Sequence, residues 1–160
     1  MNINSLSQKY SVRKLDENDV DIIYDMSCKN DIFYQYHPPF VTRESILDDM
    51  GALPPGKGYD DKFYVGFFEN DSLVGLMDLI LDYPEKEISF IGLFMPDTRY
   101  QNRGVGSGII SDVILCLKSS GYKEIRLGVD KGNPQSYSFW TKNKFTPIRE
   151  DTYILMGLRI

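Results

Sequence analysis

The sequence predicts a single α/β domain built on a mixed sheet of six or seven strands. Strand-like apolar runs alternate with helix-like periodic segments along all 160 residues. The run Leu73–Leu81 is almost wholly apolar, as in a strand covered on both faces. From Ile109 to Leu117 apolar residues recur at spacings of three and four, which is typical of a helix packed on one side. No repeat, low-complexity segment or linker divides the chain, so we expect one domain.

The first third of the chain predicts one edge strand and two helices. Residues 11–15 alternate weakly between apolar and polar, as an edge strand does. The acidic segment Asp16–Asp19 precedes helix-spaced apolar residues and predicts a helix start. The segment Asp31–Phe40, rich in prolines and aromatics, predicts a structured but non-helical connection. Thr42 is the predicted N-cap of the next helix, without a full capping box, because Ser45 stands where Glu or Gln is required.

The rest of the chain alternates strands with two further helices. In chain order we expect strands at 63–68, 73–81 and 88–95, a helix from 109, a strand at 124–129, a helix at 133–142, and strands at 145–149 and 153–158.

Charge and composition narrow the classes of partner. The net charge of −5 and pI of about 4.9 argue against a nucleic-acid partner and mildly favour cationic substrates. No apolar run approaches the roughly 20 residues of a membrane span, so no membrane partner is expected. Cys28 and Cys116 form no metal-binding spacing, so no metal is expected. The polar segment Met1–Tyr10 lacks the apolar core of an export signal, which predicts a cytoplasmic location.

A glycine-rich turn, Gln101–Gly108, joins the strand at 88–95 to the long helix. Backbone N–H groups at such a turn have no intrahelical partner and, with the helix dipole, suit a phosphate group. Ser107 occupies the place of the lysine that a Walker-type loop needs. Ile109 occupies the place of the third glycine of a dinucleotide-binding fingerprint. A turn that only caps the helix remains the alternative at this point.

This turn resembles the pyrophosphate-binding loop of the GNAT N-acetyltransferase superfamily, in which Gln or Arg is followed by two spaced glycines. The segment 133–145 resembles the second signature of that family. The matching residues are Gln101, Gly104, Gly106, Asn133, Phe139 and Phe145. The order of predicted elements is similar as well. The resemblance implies a GNAT-like mixed, mostly antiparallel sheet with helices on both faces and splayed central strands.

The resemblance also implies acetyl-CoA as a cosubstrate, with its pantetheine arm in the gap between the splayed strands. Pro96 has no N–H and removes one hydrogen bond that relatives offer the arm. Asn133 either contacts the arm through its amide or only caps the last helix. The residues implied to bind the cofactor are Phe94, Met95, Pro96, Gln101, Asn102, Arg103, Gly104, Val105, Gly106, Ser107, Asn133 and Trp140.

The implied reaction is direct attack of an amine on the thioester. Asp78 is the candidate base, because burial among apolar neighbours raises the pKa of a carboxyl; the alternative is an Asp that hydrogen-bonds a loop. A backbone N–H near Phe94 or Met95 is the candidate oxyanion donor. Trp140 stands where the family often has a proton-donating Tyr, and an indole does not titrate, so Tyr137 is the candidate acid.

The implied acceptor is a primary amine of a small molecule or peptide. Tyr34, Tyr36 and His37 are its candidate binding residues, since aromatic faces attract an ammonium group; for His37 a structural hydrogen bond is the alternative. A homodimer is compatible with the resemblance. Lys144 replaces the glycine of the second signature, so Asn143 is expected to take the left-handed conformation. The alternative function is a CoA-binding module without turnover.

Overall fold

Seven strands and five α-helices follow one another in the computed structural model, which describes residues 1–160. The strands are β1 (Ser11–Lys14), β2 (Lys62–Glu69), β3 (Ser72–Ile80), β4 (Ile88–Pro96), β5 (Glu124–Val129), β6 (Thr146–Glu150) and β7 (Ile154–Arg159). The helices are α1 (Val20–Ser27), α2 (Asp31–Tyr36), α3 (Arg43–Gly51), α4 (Val105–Ser119) and α5 (Pro134–Lys142). Short 3₁₀ turns precede β1, α1, β2 and α4.

All strands lie in one sheet in the order β1-β2-β3-β4-β5-β7-β6. Every neighbouring pair is antiparallel except β4 and β5, which run parallel. Ile110 and Leu117 of α4 belong to the apolar core on one face, and Ile23 and Ile46 of α1 and α3 belong to the core on the other. The predicted mixed, mostly antiparallel sheet with helices on both faces is therefore confirmed.

The central strands separate halfway along β4. The β4–β5 pairing covers only residues 88–91 of β4 and 124–127 of β5, whereas β5 continues to pair with β7 as far as Val129. Gly92 is an extra residue in β4, because Leu93 lies opposite Asp78 while Ile91 lies opposite Leu79. A bulge of this kind bends and twists its strand. The edge of β4 beyond Gly92 is consequently unpaired on the β5 side, which confirms the splay.

The prediction of a non-helical segment at Asp31–Phe40 was wrong, because α2 occupies Asp31–Tyr36. Asn30 begins this helix, and its Oδ1 accepts a hydrogen bond from the backbone N–H of Phe33 at 3.3 Å. The prolines follow the last turn, where they cannot interrupt the helix. The prolines therefore indicate where the helix ends and do not exclude it.

Two predictions about helix ends were also wrong. A reciprocal capping box does form at α3: Ser45 Oγ accepts from the Thr42 N–H and Thr42 Oγ1 from the Ser45 N–H, both at 3.0 Å. After α5 the left-handed residue is Lys144 (φ 73°), whereas Asn143 has φ −86°. Asn143 keeps its conformation because its Nδ2 donates to Phe139 O at 2.8 Å and to Ser107 Oγ at 3.1 Å.

Candidate active site

A cavity of about 710 Å³ opens beside the unpaired half of β4. Its walls come from β4, from the turn before α4, from α5 and from the start of α2. It brings together most of the predicted cofactor-binding residues: Phe94, Met95, Pro96, Gln101, Asn102, Gly104, Gly106, Ser107, Asn133 and Trp140. Arg103 and Val105 instead line a smaller hollow on the other side of the turn, together with Lys9.

The glycine-rich turn leaves the first backbone N–H groups of α4 without partners. Gly104 precedes the helix in a left-handed conformation, with φ 77° and ψ 0°, and no side chain caps the helix. A methyl group built on Gly104 would meet no other atom within 4 Å. Open space therefore lies beside donors that no intrahelical acceptor can reach. This is the arrangement in which backbone N–H groups bind an anion.

Aromatic rings form the apolar wall of the cavity. Phe139 stacks on Phe94 with ring centroids 6.0 Å apart, and it meets Trp140 edge to face with ring centroids 5.0 Å apart. A Cβ on Gly106 would lie 3.1 Å from the Phe139 ring, so the absent side chain lets α4 approach α5 closely. Trp140 is 6% exposed and also packs on Phe145. Both signature segments thus meet in one packed wall.

Asn133 performs the capping role and keeps an amide group free. Its Oδ1 accepts a hydrogen bond from the N–H of Ser136 at 3.1 Å, although the residue is only 5% exposed. Its Nδ2 has no hydrogen-bond partner in the protein and is not among the sealed polar atoms. The two roles considered for Asn133 are therefore compatible, since each uses a different atom of the carboxamide.

Asp78 forms an ion pair inside the sheet face that α1 and α3 cover. Its Oδ2 accepts from Lys62 Nζ at 2.7 Å, and its Oδ1 is enclosed without a partner. Burial raises the pKa of Asp78, and the hydrogen bond from Lys62 opposes that shift. A Cβ on Gly92 would lie 3.2 Å from Asp78 Oδ2, so only the bulge residue separates this carboxylate from the splayed edge. Asp78 does not line the cavity itself.

The candidate acceptor residues lie beside the cavity and do not form its wall. Phe33 of α2 lines the cavity. The ring centroids of Tyr34 and His37 lie 4.9 Å and 5.3 Å from the centroid of the Phe33 ring. His37 Nδ1 lies 3.1 Å from both carboxylate oxygens of Asp130, which follows β5. Burial raises the pKa of the Tyr34 hydroxyl. Tyr36 contributes no side-chain contact to the wall.

Tyr137 is 38% exposed and lies outside the cavity wall. Although Tyr137 lies only three residues before the buried Trp140 on α5, it does not share the buried surroundings of Trp140.

Sequence reasoning missed Asn30, Phe33 and Lys142, which line the cavity, and Lys62, the partner of Asp78. Asn30 and Phe33 are distant in sequence from the glycine-rich turn, and only the tertiary fold brings them to the same cavity. A signal for Asn30 existed, since an Asn directly before an acidic residue is a common helix start. The prolines of the same segment outweighed that signal and led to the prediction of a non-helical connection.

A splayed strand edge lies beside a turn whose backbone N–H groups are free, and such a site suits an elongated ligand with one anionic end. The sequence matches the acetyltransferase (GNAT) family over residues 25–145. The chain therefore belongs to the GNAT acetyltransferase family.

Solved structures with the same fold agree with this assignment. An acetyltransferase from Thermus thermophilus superposes with a TM-score of 0.81 at 16% identity, over 100% of both chains. The PaiA N-acetyltransferase of Thermoplasma acidophilum, solved in complex with coenzyme A, has a TM-score of 0.72 at 19% identity, over 94% of this chain and 98% of its own. The ribosomal-protein-S18-alanine N-acetyltransferase of Escherichia coli has a TM-score of 0.67 at 15% identity, over 94% and 93%.

Two other findings concern the whole chain. A search of curated proteins found no significant match to the sequence. None of its helices combines the length and the apolar character needed to cross a lipid bilayer.

Proposed function

We propose that this protein is an acetyl-CoA-dependent N-acetyltransferase that acts on a primary amine of a small molecule or peptide. The observation that carries the proposal is the continuous cavity from the turn before α4 along the unpaired edge of β4. A cavity of this form accommodates a ligand with a diphosphate at one end and a narrow arm at the other. Coenzyme A has both parts, and the coenzyme A complex of a protein with this fold supports the choice.

In this proposal the backbone N–H groups from Asn102 to Ser107 hold the diphosphate. The unpaired edge of β4 pairs with the pantetheine arm much as an added strand would. Lys142 lines the same cavity and supplies a positive charge near the phosphate end. Asn133 Nδ2 donates to the arm while its Oδ1 continues to cap α5.

The acceptor amine attacks the thioester carbon, and the C–S bond then breaks. A backbone N–H at Phe94 or Met95 stabilises the oxyanion of the tetrahedral intermediate. The amine must be neutral to attack. For an amine with a pKa of about 10.4, neutrality at pH 7 costs about 4.6 kcal/mol, so a proton acceptor accelerates the reaction.

Asp78 is the proposed proton acceptor. Its Oδ1 has no partner in the protein, and its Oδ2 would lie 3.2 Å from a Cβ on Gly92, the bulge residue where β4 splays from β5. Because Asp78 does not line the cavity, this role requires the bulge to open toward the carboxylate. Burial raises the pKa of this carboxyl, which makes it a stronger base than an exposed Asp. Lys62 Nζ holds the other oxygen and orients the carboxylate.

The leaving thiolate takes a proton either from Tyr137 or from water. A thiol has a pKa of about 8.5, so its thiolate is an adequate leaving group without an acid. The role of Tyr137 requires its side chain to turn toward the sulfur from its present exposed position. Tyr137→Phe tests this role: slower turnover with a changed basic limb of the pH profile supports it, and an unaltered profile assigns the step to water.

Calorimetric titration with coenzyme A and acetyl-CoA tests the whole proposal. Binding of both, followed by thiol release from acetyl-CoA in the presence of one or more amines, is the expected result. An absence of binding would overturn the proposal. Binding without thiol release across a broad panel of small amines and peptide N-termini would favour the CoA-binding module instead.

A further inference from the structure

Asn30 and Asn133 occupy equivalent roles at two different helices. Asn30 begins α2 and Asn133 begins α5, and in each the side-chain Oδ1 accepts a backbone N–H of the first turn. Both residues are buried, at 7% and 5% exposure, and both line the cavity. They approach it from the two helical layers that cover opposite faces of the sheet.

Capping fixes the orientation of the Asn30 carboxamide. Only the carbonyl oxygen of the amide can accept from the Phe33 N–H, so Nδ2 must point away from that bond. This Nδ2 makes no hydrogen bond within the protein, and it is not sealed off from solvent. The Asn30 side chain therefore presents to the cavity a hydrogen-bond donor that no protein acceptor satisfies, and this donor is available to a bound ligand.

The surroundings of this donor indicate the kind of acceptor it requires. Phe33, Phe94, Met95 and Pro96 line the same cavity, and none of their side chains offers a hydrogen-bonding group. A neutral amide donor in apolar surroundings suits a neutral carbonyl oxygen better than a phosphate. An acyl-pantetheine arm carries carbonyl oxygens along an otherwise apolar chain.

We propose that Asn30 Nδ2 donates a hydrogen bond to a carbonyl oxygen of the acyl-pantetheine arm, opposite Asn133. Asn30 is thus a binding and positioning residue that holds the arm from the layer formed by α1–α3. This inference rests on the proposed function, because it requires coenzyme A in the cavity.

Two substitutions separate donation from capping. Asn30→Ser and Asn30→Asp both retain an oxygen that caps α2, and both remove the amide donor. The matched control is Asn2→Asp, because Asn2 caps the N-terminal 3₁₀ turn by the same kind of bond, to Asn4 N at 3.0 Å, away from the cavity. Unchanged thermal midpoints of unfolding establish that the caps persist.

Affinity for three ligands is then measured by calorimetry: coenzyme A, acetyl-CoA and 3′-phosphoadenosine 5′-diphosphate, which keeps the diphosphate and lacks the arm. We expect both Asn30 variants to lower the affinity for coenzyme A and for acetyl-CoA by about three- to tenfold, which is the typical effect of one lost hydrogen bond. Binding of the diphosphate and all properties of the control should not change. If only the affinity for acetyl-CoA falls and kcat falls with it, the oxygen that accepts the hydrogen bond is the thioester carbonyl and not an amide carbonyl of the arm.

Two results would overturn the inference. An equal loss of affinity for 3′-phosphoadenosine 5′-diphosphate would show that the substitutions act on the phosphate site. Unchanged affinity for all three ligands would show that Asn30 is only a cap, even where a higher KM for the amine accompanies it. A wild-type protein that fails to bind coenzyme A would instead refute the proposed function.

Discussion

Substitution of Gly104 by Glu separates backbone strain from ligand binding. Gly104 has φ 77°, and any L-residue in the left-handed region costs roughly 1–2 kcal/mol. A Cβ there meets nothing within 4 Å, so no steric term adds to the strain. We therefore expect the free energy of unfolding to fall by about 1 kcal/mol, which lowers Tm by about 2–4 °C in a domain of this size.

The effect on coenzyme binding should be much larger than the effect on stability. The new carboxylate would project into the space where the backbone donors face the diphosphate. Two like charges about 4 Å apart repel by about 1–4 kcal/mol near a protein surface. The affinity for coenzyme A should accordingly fall at least tenfold, and titration calorimetry measures this directly.

Gly121 provides a matched control at the other end of α4. It has φ 92°, and a Cβ there also meets nothing within 4 Å. The 15 residues of the helix place it about 22 Å from Gly104. Gly121→Glu should lose similar stability and keep the affinity for coenzyme A. Full affinity in Gly104→Glu, or equal loss in both variants, would refute the assignment of the diphosphate to this turn.

Three further predictions concern the base, the pH dependence and the packing beside the turn. Asp78→Asn should lower kcat for acetyl transfer at least tenfold. Because Lys62 then lacks its counter-charge, the substitution should also lower the free energy of unfolding by about 3 kcal/mol. Steady-state kinetics and urea unfolding measure the two effects, and an unchanged kcat would exclude Asp78 as the base. The hydrogen bonds from Arg13 lower the pKa of Asp19 below its ordinary 3.8. Their contribution to the free energy of unfolding is therefore present above pH 3.8 and is lost as the pH falls through the lowered pKa. Asp19→Asn should therefore cost about 1 kcal/mol at pH 7, with half-exposed Arg13 limiting the effect, and progressively less as the pH falls below 3.8 in urea titrations; a difference that does not shrink as the pH falls would contradict this. Gly106→Ala should displace an aromatic ring of α5 that lies 3.1 Å from the new methyl group, visible as a changed near-ultraviolet circular dichroism spectrum, and a spectrum identical to wild type would show that the ring need not move.

The local patterns of the sequence were sufficient for most of the elements. Apolar periodicity identified the strands and the long helix, because each element buries a defined face. The segment Asp31–Phe40 was misjudged because prolines and aromatics were weighed without the cap at Asn30, which starts a short helix before the prolines. The capping box at Thr42 was misjudged because Ser45 was compared with longer side chains, although its hydroxyl reaches the N-cap N–H at 3.0 Å.

The sequence alone determined the fold class and the glycine-rich turn, because strand periodicity and the conformational needs of a turn are local properties of neighbouring residues. Only the tertiary structure decided what surrounds that turn. Strand register and the packing of helices over the sheet determine three features: the pairing of Asp78 with Lys62, the splay of β4 beyond Gly92, and the free amide of Asn30. The first two features join residues far apart in the chain, and the burial at all three positions exists only once the sheet and its helices have assembled.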